Sequence, residues 1–175
     1  MYYISLMIRL LVPFIISYNL LTKIFYPLTI YFNYFLLKLI NYQVFIIPPY
    51  LITSENYIRF SQACAAVSAY FLLLLLIVLT KDIRFKTMIK IFLLGSTMIF
   101  AVNTARILIL IAVLERYGFN TFQQTHDVFW IVFGSLLVAL TWIFLAGYYK
   151  VKSIPIYSDI RYLLKQRLCV ETNFF

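Results

Sequence analysis

IFLLGSTMIFAVNTARILILIAVL, residues 91–114, is apolar along its whole length apart from one charged side chain, Arg106. A helix of roughly 20 apolar residues is long enough to cross a bilayer, and this run exceeds that length. We therefore predict a transmembrane helix here. Because a charged side chain inside a membrane helix is energetically costly, Arg106 is a candidate functional residue by default.

Apolar segments continue on both sides of this run. Hydrophobic residues make up 64% of the 175 residues and charged residues only 12%, which is outside the usual range of a soluble domain. We predict an all-α fold, a polytopic membrane helix bundle of about five transmembrane helices; a four-span version would change only the first half. The predicted domain is 1–150, followed by a basic tail at 151–175, and its spans are about 4–21, 24–47, 63–80, 91–114 and 128–149.

The net charge of +9 is concentrated in one inter-span loop and in the tail. Clustered Lys and Arg indicate cytoplasmic segments by the positive-inside rule, and they do not form a nucleic-acid patch. We therefore predict an N-terminus outside the cell, a cytoplasmic C-terminus and no nucleic-acid partner. The basic clusters are Lys81, Arg84, Lys86 and Lys90, and then Lys150, Lys152, Arg161, Lys165 and Arg167.

Three reactive side chains are predicted to meet near the outer surface. Cys64 and His126 each lie where a span begins on the outer side, and helical rise places Arg106 only about 6 Å below that surface. A thiol, a guanidinium and an imidazole can serve as nucleophile, oxyanion stabiliser and general base in acyl transfer. Asn103 precedes Arg106 by one helical turn, so it could hold the guanidinium in place.

Each residue also has a purely structural interpretation. A lone membrane cysteine is commonly a small packing residue, an interfacial histidine is commonly solvated, and an arginine can pair with a polar neighbour. Their shared depth favours function over these alternatives. The motifs of other membrane enzymes are absent from the sequence: HExxH of zinc proteases and GxSxG of serine hydrolases. A thiol oxidase needs paired cysteines, and Cys169 is predicted on the opposite side of the membrane from Cys64.

At these residues the chain resembles the exosortases and archaeosortases, polytopic prokaryotic membrane proteins with an extracytoplasmic Cys, Arg, His triad. The matching segments are YIRFSQAC at 57–64, NTARI at 103–107, and His126 followed by Gly134. The resemblance covers roughly residues 50–147, the predicted catalytic part. Many members carry Ser-Gly after the cysteine, where this chain has Ala65-Ala66, a departure that could alter local backbone freedom or substrate choice.

The resemblance implies a cysteine protease or transpeptidase that cleaves C-terminal sorting signals of exported proteins. Such a signal has a short motif, a membrane span and a basic cluster. Cys64 would form a thioester, His126 would relay protons and Arg106 would stabilise the tetrahedral intermediate, without metal or cofactor. Water, an amine or a lipid-linked acceptor would resolve the thioester in a bacterial or archaeal cell membrane. The alternative is a non-enzymatic assembly subunit or small transporter that uses Arg106 as an anion site.

Overall fold

The computed structural model describes residues 18–40, 42–53, 56–80 and 83–151, without the side chains of 130–133 and 135. Most of these residues are helical, and three short strands lie between the first two described helices. In chain order the elements are α1 (Tyr18–Leu39), β1 (Val44–Ile47), β2 (Tyr50–Thr53), β3 (Tyr57–Arg59), α2 (Val67–Leu79) and α3 (Phe85–Tyr148).

Helix α3 is a hairpin of two arms, 85–117 and 119–148, which are separated by Gly118. Gly118 has φ 76° and ψ −179°, a conformation outside the helical region that a residue without Cβ adopts without strain. The arms lie against each other far from this point: a Cβ at Gly95 would be 3.0 Å from Leu145 Cδ1. The two predicted spans 91–114 and 128–149 therefore fall in the two arms of one hairpin.

Helix α2 fills the space between α1 and the two arms of α3. Its sequence is apolar around the whole helix, which is typical of a helix surrounded by others. Leu73 is completely buried in a cluster that also contains Ile99 and Val138, one from each arm. On the α1 side, Phe25 stacks on Tyr70 with ring centroids 3.7 Å apart.

The strands form an antiparallel sheet in the order β1-β2-β3. β1 and β2 are joined through the cis Pro48-Pro49 bond, with Ile47 paired to Tyr50. One face of the sheet is buried against α1 and the first arm of α3, and Thr53 Oγ1 also donates a hydrogen bond of 2.6 Å to Glu115 Oε1. That buried cluster includes Val44, Leu51, Phe60, Ile30, Ile107 and Ile111.

Two of the described helical stretches are long and apolar enough to cross a membrane: Tyr18–Leu39, which is α1, and Phe85–Phe129, which covers the first arm of α3 and the start of the second. The predicted span 24–47 is wrong in its boundaries, because the helix occupies Tyr18–Leu39 and Val44–Ile47 is a strand. Residues 44–47 pair with 50–53 across the two prolines, so that sheet hydrogen bonds replace helical ones. The predicted span 63–80 corresponds to the shorter helix α2, preceded by a turn.

Parts of the predicted organisation fall outside the described residues. Of the predicted span 4–21, only residues 18–21 are described, and they belong to α1. Of the predicted tail 151–175, only residue 151 is described, so Cys169 lies outside the described residues. The number of spans and their orientation stay predictions.

Candidate functional site

Cys64 lies in a tight turn between β3 and α2. Its backbone N–H donates to Ser61 Oγ at 3.3 Å, and its Sγ lies 3.4 Å from the same hydroxyl oxygen. The turn ends at Ala66, whose φ of 51° and ψ of 33° are in the left-handed region, an unfavourable conformation for a residue with a Cβ. Cys64 carries a free thiol, and the residue is half-buried.

Hydrogen bonds from three other parts of the chain hold this turn in place. Phe60 N–H donates to the Pro49 carbonyl at 2.8 Å, and Tyr26 Oη donates to the Phe60 carbonyl at 3.2 Å. Asn103 Nδ2 donates to the Cys64 carbonyl at 2.8 Å. The backbone that carries the thiol is therefore anchored to the sheet, to α1 and to the first arm of α3.

Asn103 has a different partner from the one expected. Its side chain is buried and its amide contacts the Cys64 backbone; no hydrogen bond between Asn103 and Arg106 is found among the described residues. Since both residues lie on neighbouring turns of the same helix face, Asn103 still ties the position of Arg106 to that of Cys64.

Arg106 lines a cavity of about 300 Å³ between α2 and the two arms of α3. Its Nε is buried and has no hydrogen-bond partner among the described residues. Ala66, two residues after Cys64, lines the same cavity. The rest of the wall is largely apolar and mixes alanine and glycine with larger side chains, some of them exposed. The lining comprises Ala66, Ala69, Val102, Asn103, Ala105, Arg106, Ile109, Phe129, Gly134 and Leu137.

His126 lies on the second arm of α3, outside this cavity. Its Nδ1 is 3.4 Å from Asp127 Oδ1, a long contact for a hydrogen bond, and its ring stacks on Phe122 at 6.0 Å. Within the described part of the chain it has no hydrogen bond to Cys64 or Arg106. Phe129, which does line the cavity, follows His126 by about one helical turn, roughly 4.5 Å along the axis.

The structure thus brings together Cys64, Asn103 and Arg106, and places His126 one turn outside. The sequence argument treated His126 as the first residue of a span. In the structure the second arm starts at residue 119, so that His126 lies within a helix rather than at its end.

Sequence reasoning missed the contacts of Ser61 and Tyr26. Ser61 had a local signal, since a serine three residues before another residue can accept that residue's backbone N–H in a turn. Tyr26 had none, because its contact with Phe60 joins positions 34 residues apart.

A second concavity lies on the sheet side of the turn. It is an open groove of about 590 Å³ lined by Thr22, Tyr26, Pro49, Arg59, Phe60, Ser61, Gln62 and Ala63. Residues 61–63 border the groove, whereas Ala66 and Ala69 border the cavity. Cys64 itself lines neither concavity; the residues before it border a groove with several polar side chains, and those after it border an apolar cavity that contains one cation.

The described residues contain no group of three or more His, Cys, Asp or Glu side chains that could hold a metal ion. Comparison of the chain with family models, curated proteins and solved structures finds no match.

Proposed function

We propose that this chain is a membrane-embedded cysteine peptidase or transpeptidase of the exosortase/archaeosortase type, acting on C-terminal sorting signals of exported proteins. The observation that carries the proposal is the buried, unpartnered Nε of Arg106 in a cavity beside the anchored Cys64 turn. A buried donor without a protein partner is unfavourable. Arg106 also lines the cavity, so its guanidinium would donate to a substrate oxygen that binds there.

The proposed setting is the cell membrane of a bacterium or archaeon. The two long apolar helices support a multi-pass arrangement, and the basic loop and tail favour the cytoplasm by the positive-inside rule. In the proposed arrangement of about five spans, the helix after Cys64 runs towards the cytoplasmic basic loop. Cys64, at the other end of that helix, would then lie on the extracytoplasmic side. A substrate anchored in the same membrane would then present its scissile bond to Cys64.

In the proposed reaction the Cys64 sulfur attacks the scissile carbonyl carbon. The S–C bond forms while the C–N bond breaks, and the proton lost by the thiol passes to the leaving amine. The products are a thioester on Cys64 and the released membrane tail. Water, an amine or a lipid-linked nucleophile then bonds to the thioester carbonyl carbon while the C–S bond breaks, and the proton lost by that nucleophile passes to the Cys64 sulfur.

Arg106 would donate hydrogen bonds to the oxyanion of the tetrahedral intermediate. The group stays charged at any physiological pH, and preorganised donors in a water-poor site are among the largest contributors to catalysis. His126 would carry the proton between thiol and amine. Because His126 does not line the cavity, it must move towards it or act through water to do so.

The test is mass spectrometry of surface proteins from cells that carry Cys64→Ala, with Cys169→Ala as the matched control. Exported proteins that keep their C-terminal membrane tails only in the Cys64→Ala cells would support the proposal and identify substrates. Unchanged C-termini in cells that express the Cys64→Ala protein at wild-type level would refute it.

A second candidate function is supported by the same cavity. A guanidinium that lines an apolar cavity, with its Nε unpartnered among the described residues, is also suited to binding an anion without any covalent step, as in a small transporter or an assembly subunit. This alternative predicts that Arg106→Met abolishes function while Cys64→Ala does not. The enzyme, in contrast, requires both residues.

A further inference from the structure

The outward face of the sheet is apolar, like the face that packs on the helices. Because side chains alternate along a strand, the register puts six side chains on this outward face: Phe45, Ile47, Tyr50, Ile52, Tyr57 and Arg59. Phe45, Ile47 and Tyr57 are 68%, 62% and 78% exposed. A continuous apolar patch on a protein surface marks a site of contact with another protein or with a membrane.

Two hydrogen bonds fix the position of the sheet along the first arm of α3. At the open end of the sheet Thr53 Oγ1 donates to Glu115, and beyond β3 the Cys64 carbonyl accepts from Asn103. Asn103 precedes Glu115 by about 18 Å of helix, at ~1.5 Å per residue. Glu115 is the first charged residue after the apolar run 91–114. The open end of the sheet therefore lies where that run ends, and the rest of the sheet lies beside the run.

The tip of the β1–β2 hairpin is placed by α1 as well. Phe60 N–H donates to the Pro49 carbonyl at the tip, and the Phe60 carbonyl accepts from Tyr26 of α1. Tyr26 precedes the end of α1 by about 20 Å, and α1 is long and apolar enough to cross a membrane. With the open end of the sheet at the membrane surface, the length of β2 places Ile47 roughly 10 Å inside that surface.

Lipid is the partner that fits the chemistry of this face. Tyrosine is enriched where lipid headgroups meet acyl chains, and the face carries two tyrosines. Its one charged residue is Arg59, whose long side chain can extend to the lipid phosphates, and none of the six side chains is acidic. β1 lies beside α1, whose Phe35 and Leu39 are also exposed. The patch therefore continues the apolar surface of a helix that can cross the membrane.

We propose that the outward face of this sheet contacts lipid in the membrane leaflet nearer to Gly118, with Ile47 among the acyl chains and Arg59 at the phosphates. The central strand β2 is paired on both sides, so its backbone polar groups are satisfied at this depth, as a lipid environment requires. The inference rests on the proposed membrane location and is independent of the peptidase chemistry.

The test is spin labelling of the full chain in vesicles of phosphatidylcholine and phosphatidylglycerol. Phe45→Cys, Ile47→Cys and Tyr57→Cys are each introduced into a protein that carries Cys64→Ala and Cys169→Ala, and each new cysteine is labelled with a nitroxide. Collision rates with oxygen, which concentrates among acyl chains, and with a water-soluble nickel chelate report the surroundings of the label. Because the three positions are labelled separately, one variant that does not fold leaves two readouts.

Leu93→Cys and Tyr117→Cys are the matched controls, since both residues are exposed on the first arm of α3. Leu93 lies inside the apolar run, and Tyr117 lies at the end of the arm. The ratio of oxygen to nickel collisions at Ile47 should approach the high value at Leu93 and exceed the value at Tyr117. Phe45 and Tyr57, which are nearer to the membrane surface, should give ratios between the two controls.

Two results overturn the inference while leaving the membrane location intact. A low ratio at all three sheet positions, equal to that at Tyr117, means that the face is in water. Few collisions with either reagent, together with an immobilised label, mean that protein covers the face, either a second copy or another segment of this chain. If Leu93 itself gives the low ratio, the first arm is not in the membrane, and the proposed location fails together with the inference.

Discussion

Replacing Arg106 with methionine should make the protein more stable and inactive at the same time. In the structure Nε of Arg106 is buried without a hydrogen-bond partner. Leaving a buried donor unsatisfied costs about 1–3 kcal/mol. Since the rest of the side chain is only half-buried, the lower end applies, and a gain of about 1 kcal/mol corresponds to a Tm increase of roughly 2–4 °C for a chain of this size.

The loss of activity has a different size and cause. Removing one oxyanion donor typically lowers kcat by about 10²–10³, so Arg106→Met should retain at most about one hundredth of the wild-type cleavage rate. The assay pairs thermal unfolding of the purified protein in detergent with cleavage of a retained-tail substrate. Methionine is suitable because it is unbranched and fills irregular apolar space.

Arg116→Met is the control, because Arg116 lies on the same helix but is exposed; both its Tm and its cleavage rate should match wild type. The reasoning is refuted if Arg106→Met lowers Tm while Arg116→Met does not. Arg106 would then have a structural partner, and its place in the cavity would no longer imply an oxyanion.

Three further substitutions test the packing around the site. Asn103→Leu removes the 2.8 Å hydrogen bond to the Cys64 carbonyl and should destabilise the protein by about 1–3 kcal/mol, lowering both Tm and the cleavage rate. Ala66→Gly should raise Tm slightly, since Ala66 has φ 51° and the left-handed conformation costs a non-glycine residue about 1–2 kcal/mol. Gly95→Leu should lower Tm through overpacking by about 1–3 kcal/mol, because even a Cβ there would lie 2.7 Å from Leu73 Cδ2.

Each of these has a result that contradicts it. Wild-type Tm for Asn103→Leu would mean that the turn does not depend on that hydrogen bond. A lower Tm for Ala66→Gly would mean that the left-handed conformation is not strained. Gly147→Leu is the control for Gly95→Leu, since a Cβ at Gly147 meets nothing within 4 Å. An equal decrease of Tm in both variants would mean that leucine disturbs the helix itself, and that overpacking is not the cause.

Long apolar runs were predictable from the sequence, whereas their boundaries were not. Residues 91–114 lie inside the first arm of α3 as expected, because a long apolar run is a strong signal for a helix. The strand at Val44–Ile47 was missed, since a short apolar run next to a helix does not show its period, and its pairing with Tyr50–Thr53 is a tertiary event.

Only the part of the candidate site that lies on one helix face was predictable from the sequence. Asn103 and Arg106 share a helix face, which the sequence determines directly. Their proximity to Cys64 depends on where β3 ends and α2 begins. The position of His126 depends on Gly118, at which the two arms turn. The predicted spans 91–114 and 128–149 leave the whole stretch between them for this connection, whereas a single glycine with positive φ makes it.

The most direct test of the proposed nucleophile is detection of the acyl-enzyme itself. Wild type, Cys64→Ala and Cys169→Ala proteins would be purified from cells, digested, and searched by mass spectrometry for peptides joined to cysteine through a bond that neutral hydroxylamine cleaves. A hydroxylamine-sensitive adduct on Cys64, carrying the new C-terminus of an exported protein and present in the Cys169→Ala variant, is the predicted result. An unmodified Cys64 in wild-type protein whose substrates are being cleaved would contradict it.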